Sequence, residues 1–393
     1  MINQHMYDLG AAPNKIRELF MYGLGRKAEI GNDAVYDYSI GNPSVPAPQA
    51  VKDAFLELLD DDPVDAHAYS PSPGDPAVRK AVADHISKVN GVEAKPSNVY
   101  MTSGASSAIA ISLAAITEPG DEVITVAPYF PEYKTWTEAA GCKLVEVPAL
   151  EPSFQMDVDA IADAINERTS AIIINTPNNP TGAVYPREAL EQLADVLRAA
   201  EEKYGRKIYL ISDEPYRELV YGLEVPYIPS IYADTIVCYT WSKSLSLPGE
   251  RIGYIHVNDE MDDDQAVCTA VSGAGRALGY ICAPILLQRT VAKCLDVPTD
   301  VTEYAKNREI LTGLLSKIGY EFVEPDGAFY LWMKALEPDA QAFSDCAKEH
   351  ELLLVPSDSF GTPGWVRLSY CIAEDTIRNS EPALQALYDS YQQ

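Results

Sequence analysis

The chain has 393 residues, 47% apolar and 22% charged, with a formal net charge of −28. That length accommodates two domains sharing a large core, and the composition is globular, without low-complexity tracts or solenoid-period repeats. The acidic balance argues against nucleic acid, which demands clustered Lys and Arg, and against an anionic membrane surface; a solvated acidic exterior is the plainer reading.

Residues 1–20 lack a basic segment followed by an apolar run, so no secretory signal is expected. No stretch of eighteen apolar residues is present, so no transmembrane helix is expected either. The seven cysteines form no CxxC pair and lie mostly in apolar stretches, as reduced core residues of a cytoplasmic protein would. The five histidines are scattered without HxxxH spacing, and no metal site is expected.

The segment before about Pro46 has no core of its own and is expected to pack onto a smaller unit. From residue 98 apolar runs alternate with helical patterns. Residues 98–103 read as a strand and 106–116 as a helix, then 122–126 as a strand and 131–140 as a helix. The strand 143–147 precedes a helix over 158–166. The strand 171–175 precedes a helix over 187–203 that sets Leu190, Leu193, Ala194 and Leu197 on one face. Runs at 207–211, 235–239 and 252–257 bring the count to seven strands. Alternation at this spacing predicts an α/β fold: a mainly parallel seven-stranded sheet between helices. Several strands are nearly all apolar, as burial on both faces requires. After about Pro284 the rhythm changes. Helical stretches at 285–295 and 301–318 lead to strands at 330–333 and 365–369, which read as a smaller α+β unit. The expected division is an N-terminal arm and part of the small domain at 1–45, a large domain at 46–284, and a small domain at 285–393.

In open α/β sheets, ligands sit beyond the carboxyl ends of the strands, and four polar clusters follow strands there. Ser103-Gly104-Ala105-Ser106-Ser107 joins a strand to a helix; its amides, Gly104 to Ser106, either cradle a phosphate or form an ordinary N-cap turn. Asn175-Thr176-Pro177-Asn178-Asn179-Pro180-Thr181-Gly182 is a stiff turn that could hold Asn179 against a ligand, or simply a turn. Ser212-Asp213-Glu214-Pro215-Tyr216 places an acid at a strand end, either a helix N-cap or a partner for a protonated pyridine nitrogen. Tyr216 would then donate to that ring's phenolate oxygen.

The fourth cluster is Thr240-Trp241-Ser242-Lys243-Ser244, with Arg251 eight residues after the lysine. A lysine at a strand end, flanked by hydroxyls and an arginine, suits an amine that condenses with a phosphorylated aldehyde. Pyridoxal phosphate is such a cofactor. Thr240, Ser242 and Arg251 would face its phosphate and Lys243 would form the imine. Desolvation and nearby positive charge would lower the lysine's pKa.

Taken in order, the Gly-Ala-Ser turn, Asn-Pro-Thr-Gly, Asp-Glu-x-Tyr, Ser-Lys with its arginine, and a late arginine resemble a pyridoxal-phosphate-dependent aminotransferase of fold type I, the class I/II family. The resemblance spans nearly the whole chain. It implies that Phe130, or else Tyr129, stacks on the pyridine face. It also implies that Arg367 clamps the substrate α-carboxylate, with Asn179 beside it and Gly41 adding a backbone contact. Tyr69 would reach the phosphate of a partner subunit, implying a homodimer with shared sites, and Arg276 could bind a distal carboxylate across the interface unless it is a surface arginine on a loop. The implied activity is ping-pong transfer of an amino group from an L-amino acid to a 2-oxo acid, such as aspartate and 2-oxoglutarate. Other readings on this scaffold are a carbon–sulfur β-lyase, cyclopropane-forming synthase chemistry, and a cofactor-sensing regulator, which the acidic charge and short N-terminal segment disfavour. Two positions depart from the family pattern. Thr240 stands where serine is usual and keeps the hydroxyl, whereas Trp241 is bulky where smaller groups are preferred.

Overall fold

The computed structural model describes residues 2–12, 14–60 and 64–392. Its centre is a seven-stranded sheet: β1 (Val99–Thr102), β2 (Glu122–Ala127), β3 (Lys143–Pro148), β4 (Thr169–Asn175), β5 (Tyr209–Asp213), β6 (Thr235–Thr240) and β7 (Gly253–Val257). The spatial order is β1-β7-β6-β5-β4-β2-β3. All neighbours are parallel except β7, which runs antiparallel to both β6 and β1. The expected α/β class, with a mainly parallel sheet of seven strands, is therefore what the chain adopts.

Helices cover both faces, and the strand sequences show why. Every residue of β2, β4 and β6 is buried, so these runs of Val, Ile and Thr have no polar side to alternate with. Edge strand β3 instead mixes exposed Lys143 and Glu146 with buried Val147. The helix Arg187–Tyr204 buries Leu190, Leu193, Ala194 and Leu197 at i, i+3, i+4, i+7 spacing, and Gly205 closes it in the left-handed conformation (φ 66°).

A second, four-stranded antiparallel sheet pairs Tyr330–Lys334 with Trp365–Ser369 and adds the two-residue strands Phe322–Val323 and Val355–Pro356 at its edges. Phe329, Leu331, Met333, Phe343 and Leu368 fill its core together with Tyr38, Tyr216 and Leu219, so the two sheets share buried surface. The helix Lys15–Ile30, second after Gln4–Ala11, sets Leu19 among Trp332, Leu353 and Trp365. Tyr36–Asp37 pairs in parallel with Leu352–Leu353. By contrast, the helix Ile285–Lys293 buries Val291 with Val51 and Val82, in the cluster beside β6 of the large sheet.

Candidate active site

Each polar cluster read from the sequence sits at a carboxyl end of β4, β5 or β6, or at the turn after β1. After β4 the side chain of Asn175 donates to the Asp213 carbonyl (2.9 Å) and accepts the Asn179 amide (2.7 Å). Thr181 donates its hydroxyl to Asn178 Oδ1 (2.8 Å). These bonds lock the turn, leaving Asn179 Oδ1 to accept from Arg367 Nη1 at 3.1 Å.

Asp213 ends β5 and is 5% exposed. Tyr133 donates to its Oδ2 at 2.5 Å, while Oδ1 is buried with no partner. Burial pushes the carboxyl group up to about 7, opposed by the Tyr133 hydrogen bond. Three residues on, the Tyr216 hydroxyl lies 3.1 Å from that of Tyr330. Burial, with Tyr330 nearby, raises the Tyr216 phenol well above its ordinary value, so it remains a proton donor.

Thr240 ends β6 and caps the four-residue helix Trp241–Ser244 by accepting from the Ser242 amide (3.2 Å), while donating to the Ile252 carbonyl (2.9 Å). The cap orients Lys243, whose Nζ donates to the Gly41 carbonyl at 2.7 Å and lies 5.3 Å from the Phe329 ring centre. Burial pulls this amine down to about 8; Cys371 opposes the shift, and Arg367 and Arg251 assist it. A neutral amine is thus accessible near neutral pH.

Arg251 holds φ at 52°, a conformation that a non-glycine residue keeps only where its surroundings fix it. It donates to the Pro248 carbonyl (3.0 Å) and approaches Ser242 Oγ (3.5 Å). Its guanidinium packs on Gly104, where a Cβ would fall 2.6 Å from Nη2. Gly104 has φ 86° and precedes the helix Ala105–Ile116, whose first amides have no partner within the helix. Across the site, Arg367 is 2% exposed, donates to the Ser39 carbonyl (2.7 Å), and lies 4.5 Å from the Tyr330 ring centre.

A cavity of about 260 Å³ brings Lys243, Asp213, Tyr216, Asn179, Thr240, Ser242, Arg251, Arg367, Gly41, Ala105, Ser106 and Phe130 together. Phe130, not Tyr129, borders it; Tyr129 is buried and donates its hydroxyl to Glu146 at 3.0 Å. Tyr69 and Arg276 do not reach it: Tyr69 is 96% exposed and Arg276 is exposed at the end of the helix Asp264–Leu278. Sequence reasoning missed Tyr133, Tyr330, Ile16, Ile109 and Trp136. Of these Ile109 left a signal, lying one turn after Ser106 on the same helix and so facing the same way. Among the described residues, no group of three or more His, Cys, Asp and Glu could hold a metal ion, and no helix is long and apolar enough to cross a membrane.

Residues 34–387 match the family model described as aminotransferase class I and II. The aspartate/prephenate aminotransferase of Thermus thermophilus is 33% identical over 346 residues, covering 86% of this chain and 87% of that protein. The crystal structure of an amino transferase from Eubacterium rectale superposes with a TM-score of 0.97 at 49% identity, covering both chains fully. The aspartate aminotransferase of Thermus thermophilus with maleate gives 0.88 at 28% identity, covering 98% of this chain and 99% of that one.

Proposed function

Because the chain belongs to the aminotransferase class I and II family and is a pyridoxal-phosphate-dependent aminotransferase, we propose that Lys243 is its Schiff-base lysine and that the cavity around it is the transfer site. The residues present fit the cofactor. The unpartnered Oδ1 of Asp213 suits a pyridinium N–H. Gly104, Arg251 and the free amides after Gly104 form a cradle that a side chain at position 104 would fill. Bound pyridoxal phosphate supplies an electron sink that stabilises negative charge at the substrate Cα.

Asp213 holds the pyridine end, and Tyr133 keeps its carboxylate oriented. Tyr216 and Asn179 donate to the ring's phenolic oxygen. Arg251, Ser242, Thr240 and the amides of Gly104, Ala105 and Ser106 bind the phosphate, with Phe130 against the ring face. Arg367 grips the substrate α-carboxylate with two N–H groups, beside Asn179 and the backbone at Gly41. Lys243 Nζ would be the base that takes the Cα proton and the acid that delivers a proton to the former aldehyde carbon, a role matched by its lowered pKa. Amino donor and 2-oxo acid acceptor use the site in turn, so the kinetics are ping-pong.

The observation that supports this reading best is the convergence of a buried lysine amine, an unpartnered carboxylate oxygen and a buried arginine on one cavity. Lys243, Arg251 and Arg367 are the only cations among the described residues that line it, and Ile16, Ile109 and Trp136 give part of its wall an apolar surface. Recognition of a dicarboxylate such as aspartate would call for a further cation, and Arg276 of a second copy is the candidate. Tyr69 would reach the phosphate from the same copy. An exposed apolar face supports such a homodimer: the Cys282 thiol lies 3.1 Å from the Ser70 carbonyl, bringing Tyr69 beside exposed Tyr280 and Ile281. The division into 1–45, 46–284 and 285–393 stays a proposal, with the helix Ile285–Lys293 packed on the large-domain side. A cytoplasmic location accords with the seven free cysteines.

A panel of L-amino acids under single-turnover conditions tests this reading. An active donor bleaches the visible absorption of the lysine-bound cofactor, and a 2-oxo acid restores it. Pyruvate and ammonia released without any acceptor would instead mark a β-lyase. Arg276→Leu is expected to lower kcat/KM for aspartate relative to alanine; an unchanged ratio removes Arg276 from substrate recognition.

A further inference from the structure

A second cavity, of about 960 Å³, lies behind the segments that carry the active-site groups. The two cavities share no lining residue, yet they alternate along the same stretches of chain. Asp213 and Tyr216 face the transfer site, while Glu214 and Arg217 face the second cavity. Likewise Thr240, Ser242 and Lys243 face one, and Tyr239, Trp241 and Ser244 the other. Trp241, the bulky departure from the family pattern, therefore serves the second cavity and does not crowd the lysine.

Two features of its wall point to one kind of ligand. The rings of Tyr239 and Tyr254 stack at 5.0 Å, and Trp241 meets each at 5.5 Å, giving a three-ring aromatic wall. Beside it, Glu218 Oε1 accepts from the Tyr239 hydroxyl at 2.9 Å, but Glu218 Oε2 is buried without a partner. Arg217 does not satisfy it. Its guanidinium is committed to Glu214 (3.1 Å), to the Pro226 and Val225 carbonyls, and to Asn90. Glu214 and Glu218 thus share one arginine, and the second oxygen of Glu218 lies beside the aromatic wall without a hydrogen-bond donor. Burial raises the Glu218 carboxyl group above its ordinary value, opposed by the Tyr239 hydrogen bond and by Arg217, and a cation bound beside it would favour its ionised form.

We propose that this cavity is a second binding site, distinct from the transfer site, for a small organic ammonium ion held between Glu218 and the Tyr239–Trp241–Tyr254 rings. Carboxylate and aromatic faces are the two groups that recognise such a cation, and the chain's net charge of −28 favours its approach. The site also touches the catalytic segment directly: Tyr239, bonded to Glu218, lies 2.8 Å from the hydroxyl of Ser244, the residue after Lys243.

The test is calorimetric titration of the cofactor-loaded protein with benzyltrimethylammonium, which has no N–H and so cannot react with the cofactor's aldehyde. Saturable binding of one ion per chain is expected. Glu218→Gln and Tyr254→Leu should each weaken it at least about tenfold. Phe130→Ala, which alters only the transfer site, should leave it unchanged. Melting curves establish that each variant is folded, and if Glu218→Gln is not, Tyr254→Leu decides. Absence of saturable binding, equal affinity in the folded variants, or loss of binding in Phe130→Ala would overturn the proposal.

Discussion

The Tyr133 hydroxyl donates to Asp213 Oδ2 at 2.5 Å and leaves the other oxygen of that carboxylate buried without a partner, on a residue that lines the cavity. One oxygen is anchored and the other is available, which is what a residue holding a cationic ring nitrogen requires. The anchor also matters electrostatically, because it works against the burial that pushes Asp213 up to about 7.

Tyr133→Phe removes that anchor without changing the ring packing against Phe130. The Asp213 carboxyl should rise further, and cofactor affinity should fall roughly tenfold, the value of one hydrogen bond to a charged group. The fall should be steepest at low pH, where Asp213 is protonated. Titrating cofactor into the stripped protein by absorbance checks this; affinity equal to wild type at pH 6 would remove Tyr133 from the account.

Lys243 gives a pH signature in stability. Its folded value of about 8 lies below the ordinary 10.5, so between these limits the unfolded chain binds more protons. Its penalty on folding is complete below pH 8 and fades as pH rises towards 10.5. Lys243→Met should therefore raise the Tm of cofactor-free protein at pH 7, by less at pH 9.5, with wild type and variant compared at each pH. A gain that grows with pH would contradict the burial of this amine.

Arg367→Lys keeps the charge but loses the planar fork that reaches Asn179 and Ser39. A drop of roughly 10- to 100-fold in kcat/KM is expected for every amino acid donor alike. The visible spectrum of the lysine-bound cofactor should stay as in wild type. A spectral change with unaltered kcat/KM would place Arg367 at the cofactor instead.

Gly104→Ala puts a methyl group 2.6 Å from Arg251 Nη2 at a φ of 86°. The left-handed backbone costs about 1 kcal/mol, and the guanidinium must shift as well. Cofactor affinity should fall together with Tm. An unchanged affinity would mean that the cradle does not bind phosphate.

The legible parts of this protein were those written in a local pattern. Asn179, Asp213 and Lys243 each follow an apolar run, and a strand buried on both faces has little choice but to present its polar ending to the cleft. Tyr330 and Ile16 were invisible because they come from a separate sheet and from the helix Lys15–Ile30, elements with no sequence-local tie to the cleft. The strands Tyr36–Asp37, Phe322–Val323 and Val355–Pro356 are two residues long, too short for any period to register. Phe130 and Tyr129 are adjacent aromatics that no sequence pattern separates, whereas in the fold Phe130 lines the cavity and Tyr129 bonds to Glu146. Tyr69 and Arg276 face away from their own cavity, so their roles depend on a second copy.

We propose that Lys243, with its amine beside Gly41 and Phe329 and near Arg251 and Arg367, forms the covalent bond to the cofactor. Borohydride reduction of the yellow protein followed by peptide mass mapping reads that bond directly. The phosphopyridoxyl group is expected on the peptide containing Lys243 and nowhere else; its attachment to another lysine, or its absence from all of them, would contradict the account.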